Sequence, residues 1–74
     1  MRRKSIIIGI KGFSLTVEEI NLIKTEKPWG VILFSRNIKN INQLKSLVTN
    51  IKNIIHDKNY PILIDQEGGD VSRL

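Results

Sequence analysis

Seventy-four residues with no cysteine and a formal net charge of +5 make at most one small domain, which buries only roughly 60% of the surface its unfolded chain exposes. Without cysteine, neither disulfides nor thiolate metal sites can compensate, and the composition fits a reducing compartment. The positive charge raises nucleic acid as a partner, but the lysines are scattered from Lys4 to Lys58 among isoleucines and asparagines, so compositional bias accounts for them and no nucleic-acid partner is expected.

At the amino terminus, Arg2, Arg3 and Lys4 precede an apolar run, Ile6 to Ile10, that Lys11 cuts short. A secretory core needs about 7–15 apolar residues and a small-residue cleavage site, and a bilayer span needs about 20. No membrane association is expected, and the chain reads as cytoplasmic. Ser5 to Ile10 is β-branched and continuous, which predicts a strand covered on both faces. Gly12 marks the turn after it. Thr16-Val17-Glu18-Glu19 is a capping box. The helix it opens is expected to bury Val17, Ile20 and either Leu22 or Ile23, with Asn21, Lys24 and Glu26 outward. Pro28 stops that helix, because the residue before proline is pushed out of the helical region, and Trp29-Gly30 is read as the turn back.

Val31 to Phe34 is a second apolar strand, with Ser35, Arg36 and Asn37 at its carboxyl end. Asn40, with Gln43 three residues on, then caps the clearest helix. Ile41, Leu44, Leu47, Val48, Ile51, Ile54 and Ile55 recur in steps of three and four, drawing one stripe to about His56. Asn42, Lys45, Thr49, Lys52 and Asn53 form its solvated face. Asp57-Lys58-Asn59 leads to a third strand, Pro61 to Ile64, which runs into Asp65, Gln66, Glu67, Gly68, Gly69 and Asp70, with Arg73 beyond. This last stretch is read as a loop.

Strands alternating with helices must lie parallel, joined by right-handed crossovers. They begin near residues 5, 31 and 61, close to the roughly 31 residues per unit of an eight-unit barrel of about 250 residues. A doubly wound sheet uses similar units, so the spacing leaves both open. Three strands alone would leave the first and third as open apolar edges. Residues 1–74 are therefore expected to be the amino-terminal portion of a larger α/β protein, poorly folded and inactive alone.

Few residues carry chemistry. Gly9 and Gly12, and later Gly68-Gly69, lack the spacing of a phosphate cradle. His56, the only histidine, ends a helix, where a cationic side chain suits the carboxyl terminus. It has no partners at metal-ligand spacing. Ser35 and Ser72 have no histidine placed to activate them. Asp65 is different, because a carboxylate ending a buried strand must be paired or hydrogen-bonded. Glu67 and Asp70 are close, and Arg73 is eight residues on. One reading is an Asp65–Arg73 ion pair that orders the loop. The other is a carboxylate and a guanidinium gripping the hydroxyls of a sugar, each hydrogen bond to a charged group being worth about 1.5–3 kcal/mol. A tight turn at Gly68-Gly69 fits both, and the residues alone leave the two level.

Two segments in order, Gly30-Val31-Ile32-Leu33-Phe34-Ser35-Arg36-Asn37 and Ile64-Asp65-Gln66-Glu67-Gly68-Gly69-Asp70-Val71-Ser72-Arg73-Leu74, resemble glycoside hydrolase family 3, and specifically its bacterial β-N-acetylhexosaminidase branch. The Gly12-Phe13 turn and the Glu18-Glu19 helix sit in the same register, so the resemblance spans nearly the whole chain. It implies an α/β fold comprising the first three strands and two helices of an incomplete (β/α)8 TIM-type barrel. The activity implied is retaining exo-hydrolysis of terminal β-linked N-acetylglucosamine in peptidoglycan recycling, on a small carbohydrate such as an N-acetylglucosaminide or muropeptide.

By the same resemblance, Asp65 and Arg73 would bind the sugar, and Arg36 and Asn37 would support the strand ends. The family's aspartate nucleophile and its histidine on a mobile loop lie downstream, so none of the 74 residues is expected to be catalytic, and no metal or organic cofactor is implied. Asp70 departs from the arginine that many members carry. The alternatives are a β-glucosidase of the same family, or a basic module binding nucleic acid or a protein partner.

Overall fold

The structure is a computed structural model that describes the backbone of residues 4–66 and 70–73 and the side chains of residues 5–65. Its elements are β1 (Lys4–Gly9), α1 (Val17–Glu26), β2 (Pro28–Leu33), a 3-10 turn (Ser35–Asn37), α2 (Ile41–Ile55), β3 (Ile62–Gln66) and β4 (Asp70–Arg73). The four strands form one sheet in the order β1-β2-β3-β4. As expected, β1, β2 and β3 are parallel. β4 returns antiparallel on β3.

Both helix starts follow from local chemistry. At α1, the Thr16 hydroxyl accepts from the Glu19 amide while Glu19 reaches back to the Thr16 amide, a complete capping box. At α2, Asn40 accepts from the Gln43 amide. Both helices end in a left-handed residue, Lys27 after α1 and His56 after α2, with φ of 46° and 58°.

The core lies between one face of the sheet and the helices. Ile10, Val31, Leu33, Ile62, Ile64, Leu47, Ile51 and Tyr60 form it, with Ile8, Leu15, Ile38, Leu44, Val48 and Ile55 packed around them. Tyr60 is fully buried and donates its hydroxyl to the Pro28 carbonyl at 2.7 Å, which ties the start of β3 to the start of β2.

Several expectations give way. β1 is not covered on both faces: Ile8 and Ile10 pack at the core, Ile7 on the opposite face is 46% exposed, and Ile6, within the register shift between Lys4 and Ile7, is 44% exposed. Val17 is 73% exposed and Leu22 is also exposed, while Ile23 is fully buried. The first residue of a helix points past the core edge, so the stripe of α1 begins later than its apolar residues do. Ile41 is exposed for the same reason at α2. Trp29-Gly30 is not a turn: the left-handed Lys27 makes the reversal, and Pro28, Trp29 and Gly30 already run as β2. Gly30 instead permits a close strand approach, since a Cβ there would stand 3.0 Å from the Pro61 carbonyl oxygen.

The third strand is not an edge and is not followed only by loop. It extends through Asp65 to Gln66, and β4 covers its far side, leaving β1 and β4 outermost. The tight turn expected at Gly68-Gly69 lies outside the described residues, as do Glu67 and Leu74.

Candidate functional site

In the parallel part of the sheet the strand carboxyl ends all lie on one side, where ligands are handled in α/β folds. Register fixes what meets there. Gly9 of β1 pairs with Ile32 of β2, Ile32 with Leu63 of β3, and Leu63 with Arg73 of β4. These four positions form one row on the face away from the helices. Two residues further along β3, Asp65 pairs with Val71, and Phe34 is the corresponding position beyond Ile32. Asp65 is half-buried there. Backbone position 73 is thus a diagonal neighbour of Asp65 on the next strand, a relation that spans roughly 7–8 Å in antiparallel pairs. The sheet brings the two expected sugar-binding positions together through a hairpin. The Arg73 side chain, and with it the alternative ion pair to Asp65, lies outside the described residues.

The β2–α2 turn next to Asp65 is tied down by polar groups. Asn37 is fully buried, and its carboxamide accepts from the Phe34 amide at 2.8 Å. It donates to the Ile10 carbonyl at 2.9 Å and to the Gly12 carbonyl at 2.7 Å. Arg36 adds two bonds to the same Ile10 carbonyl, from Nε at 3.3 Å and Nη2 at 3.2 Å. Its guanidinium lies 4.7 Å from the centre of the Phe34 ring, a cation–π arrangement. Gly9 faces this stack: a Cβ at that position would be 3.6 Å from Phe34 Cε2 and 3.7 Å from Arg36 Nη2.

From α2, Gln43 donates to the Phe13 carbonyl at 2.6 Å and the Asn37 carbonyl at 2.9 Å. From α1, the Glu19 carboxylate accepts from the Lys11 amide at 2.9 Å and the Thr16 amide at 2.8 Å. The supporting place expected for Arg36 and Asn37 at the strand ends matches these contacts. The parts of Gln43 and Glu19 beyond helix capping were not read from sequence, because their partners lie across the fold.

His56 sits exposed at the far end of α2, away from Asp65. Among the described residues, no group of three histidine, cysteine, aspartate or glutamate side chains is placed to hold a metal ion. No described helix is long and apolar enough to cross a membrane.

No protein-family model matches the chain. Individual relatives do. The β-hexosaminidase of Haemophilus influenzae is 38% identical over 69 residues, covering 93% of this chain and 19% of that protein. The β-hexosaminidase of Neisseria meningitidis is 39% identical over 71 residues, covering 96% of this chain and 19% of that protein. The crystal structure of NagZ from Neisseria gonorrhoeae superposes with a TM-score of 0.75 at 38% identity, over 97% of this chain and 21% of that one.

The chain is a homologue of the amino-terminal region of the β-hexosaminidases of glycoside hydrolase family 3. It spans about a fifth of the length of the relatives it matches. A second gonococcal NagZ structure, in complex with N-trifluoroacetyl-D-glucosamine, matches with a TM-score of 0.75 over 95% of this chain and 20% of that one. Relationship to β-hexosaminidases gives the strand-end cluster its context. The two segments that carry the family resemblance supply Phe34, Arg36 and Asn37 from one strand end and Asp65 from the next.

Proposed function

We propose that this stretch forms the first three strands and two helices of a (β/α)8 barrel belonging to a retaining exo-β-N-acetylglucosaminidase. In this reading residues 1–74 are the amino-terminal portion of the catalytic barrel and supply part of the sugar site, Asp65 and Arg73. The nucleophile and the group that handles the leaving-group proton come from elsewhere in the barrel. The observation that carries the proposal is the placement of Asp65 at the carboxyl end of β3, diagonal to position 73 on β4, in a chain 38% identical to a β-hexosaminidase. The complex of gonococcal NagZ with N-trifluoroacetyl-D-glucosamine supports a small N-acetylglucosaminide as the substrate. A cytoplasmic place in cell-wall recycling fits that substrate class.

A carboxylate is suited to this task because it accepts two hydroxyl hydrogen bonds at once, and each bond to a charged group is worth about 1.5–3 kcal/mol. Losing one such bond corresponds to roughly 10- to 100-fold in kcat/KM. The test is hydrolysis of a fluorogenic N-acetyl-β-glucosaminide by the full-length protein that carries this stretch, with and without Asp65→Ala. The substitution is expected to lower kcat/KM by at least about tenfold. Unchanged efficiency would remove Asp65 from the site, and faster cleavage of the matching glucoside would reassign the protein as a β-glucosidase.

A further inference from the structure

We infer that Asn37 is a positioning residue for the sugar site: its carboxamide, backed by Arg36 and Gln43, latches the β1–α1 turn to the strand end beside Asp65. The inference rests on the functional reading above.

The turn from Ile10 to Leu15 does not hold itself. Among the described residues, no backbone–backbone hydrogen bond closes it. A surface turn of this kind ordinarily leaves its carbonyls to water. Here the carbonyls of Ile10, Gly12 and Phe13 are each taken by a side chain from the β2–α2 segment. Asn37 makes three of the four hydrogen bonds a carboxamide can make, and it makes them fully buried. A buried polar network with its members satisfied specifies one geometry.

The same carboxamide reaches the other way. Its Oδ1 holds the Phe34 amide, and Phe34 occupies the position next to Asp65 across the β2–β3 pairing, one step beyond Leu33 and Ile64. Displacing the carboxamide therefore moves two things together: the turn at the end of β1 and the backbone flanking Asp65. Arg36, stacked on Phe34 and bonded to Ile10, transmits the same displacement through its side chain.

Asn37→Asp keeps the shape of the side chain but turns two N–H donors into acceptors facing the Ile10 and Gly12 carbonyls. Gln43→Ala is the milder variant, removing the donor to Phe13 and Asn37 from a half-buried helical position and leaving the core intact. In the full-length protein both are compared with wild type for KM on the fluorogenic N-acetyl-β-glucosaminide, for the Kd of N-trifluoroacetyl-D-glucosamine, and for amide exchange of residues 11–15. KM and Kd do not depend on how much enzyme is folded, so a merely structural role would leave them alone. The expected result is faster exchange together with a parallel rise in KM and Kd, about tenfold for Asn37→Asp and smaller for Gln43→Ala. If Asn37→Asp fails to fold, Gln43→Ala decides. Faster exchange with wild-type KM and Kd overturns the positioning role and leaves the functional reading standing. A wild-type protein that neither cleaves the substrate nor binds the sugar overturns the functional reading, and the positioning role with it.

Discussion

Glu19 offers the sharpest test of how this small fold is held. In a capping box glutamine serves as well as glutamate, since only one oxygen is needed to take the amide at the helix start. On that reading Glu19→Gln is neutral. The structure gives both oxygens work: Oε1 accepts from the Thr16 amide and Oε2 from the Lys11 amide, on a side chain only 7% exposed. A carboxamide at this place must turn an NH2 toward one of the two N–H groups. One charge-assisted bond is lost and a donor faces a donor, a cost of about 1.5–3 kcal/mol. Thr16→Ala, which removes only the hydroxyl side of the box, costs about 1 kcal/mol and provides the internal scale. Urea unfolding of the full-length protein that carries this stretch, with linear extrapolation, measures both. Glu19→Gln is expected to be the more damaging of the two. A Glu19→Gln protein within about 0.5 kcal/mol of wild type would refute the two-oxygen clasp and return Glu19 to ordinary capping.

Three further outcomes follow from backbone geometry. Gly30→Ala places a Cβ 3.0 Å from the Pro61 carbonyl oxygen and 3.3 Å from Pro61 Cβ, so β2 and β3 must part, at about 1–3 kcal/mol. Gly12→Ala meets nothing within 4 Å and should stay within about 0.5 kcal/mol in the same urea titration, separating crowding from any general intolerance of lost glycine. His56 holds φ 58° at the end of α2, a conformation that costs side-chain-bearing residues about 1–2 kcal/mol. His56→Gly should therefore raise the thermal midpoint by an amount equivalent to about 0.5–1 kcal/mol; a lower midpoint would mean that the imidazole's interaction with the helix end outweighs the backbone strain.

The parts of the fold legible in sequence were those set within a few residues. Thr16 and Glu19, or Asn40 and Gln43, announce a helix start because donor and acceptor are three residues apart. The stripe from Leu44 to Ile55 announces a buried helix face. Where the deciding partner was remote, the sequence was silent or misleading. Trp29-Gly30 looked like a turn because glycine and the preceding proline are turn residues. The reversal is made two residues earlier by the left-handed Lys27, and the glycine answers to Pro61, some thirty positions away. Ile6 and Ile7 looked like a strand buried on both faces, since β-branched runs record what a strand can bury. What covers them depends on structure beyond β1. The second oxygen of Glu19, the amide of Gln43 and the carboxamide of Asn37 all reach the β1–α1 turn, and no local pattern reports such a reach.

The hairpin of β3 and β4 explains why the candidate site could be half-read. Asp65 and Arg73 are opposite charges eight residues apart, a separation that by itself sets no distance. The antiparallel register converts it into geometry. Leu63 faces Arg73 and Asp65 faces Val71, so positions 65 and 73 share a face and neighbour one another diagonally. Side chains alternate along a strand with a period of two, so a one-residue slip of this register would move position 73 to the opposite face. Under the proposed function, this register is what sets positions 65 and 73 on adjacent strands, and to that extent the sugar-binding reading of Asp65 depends on β4.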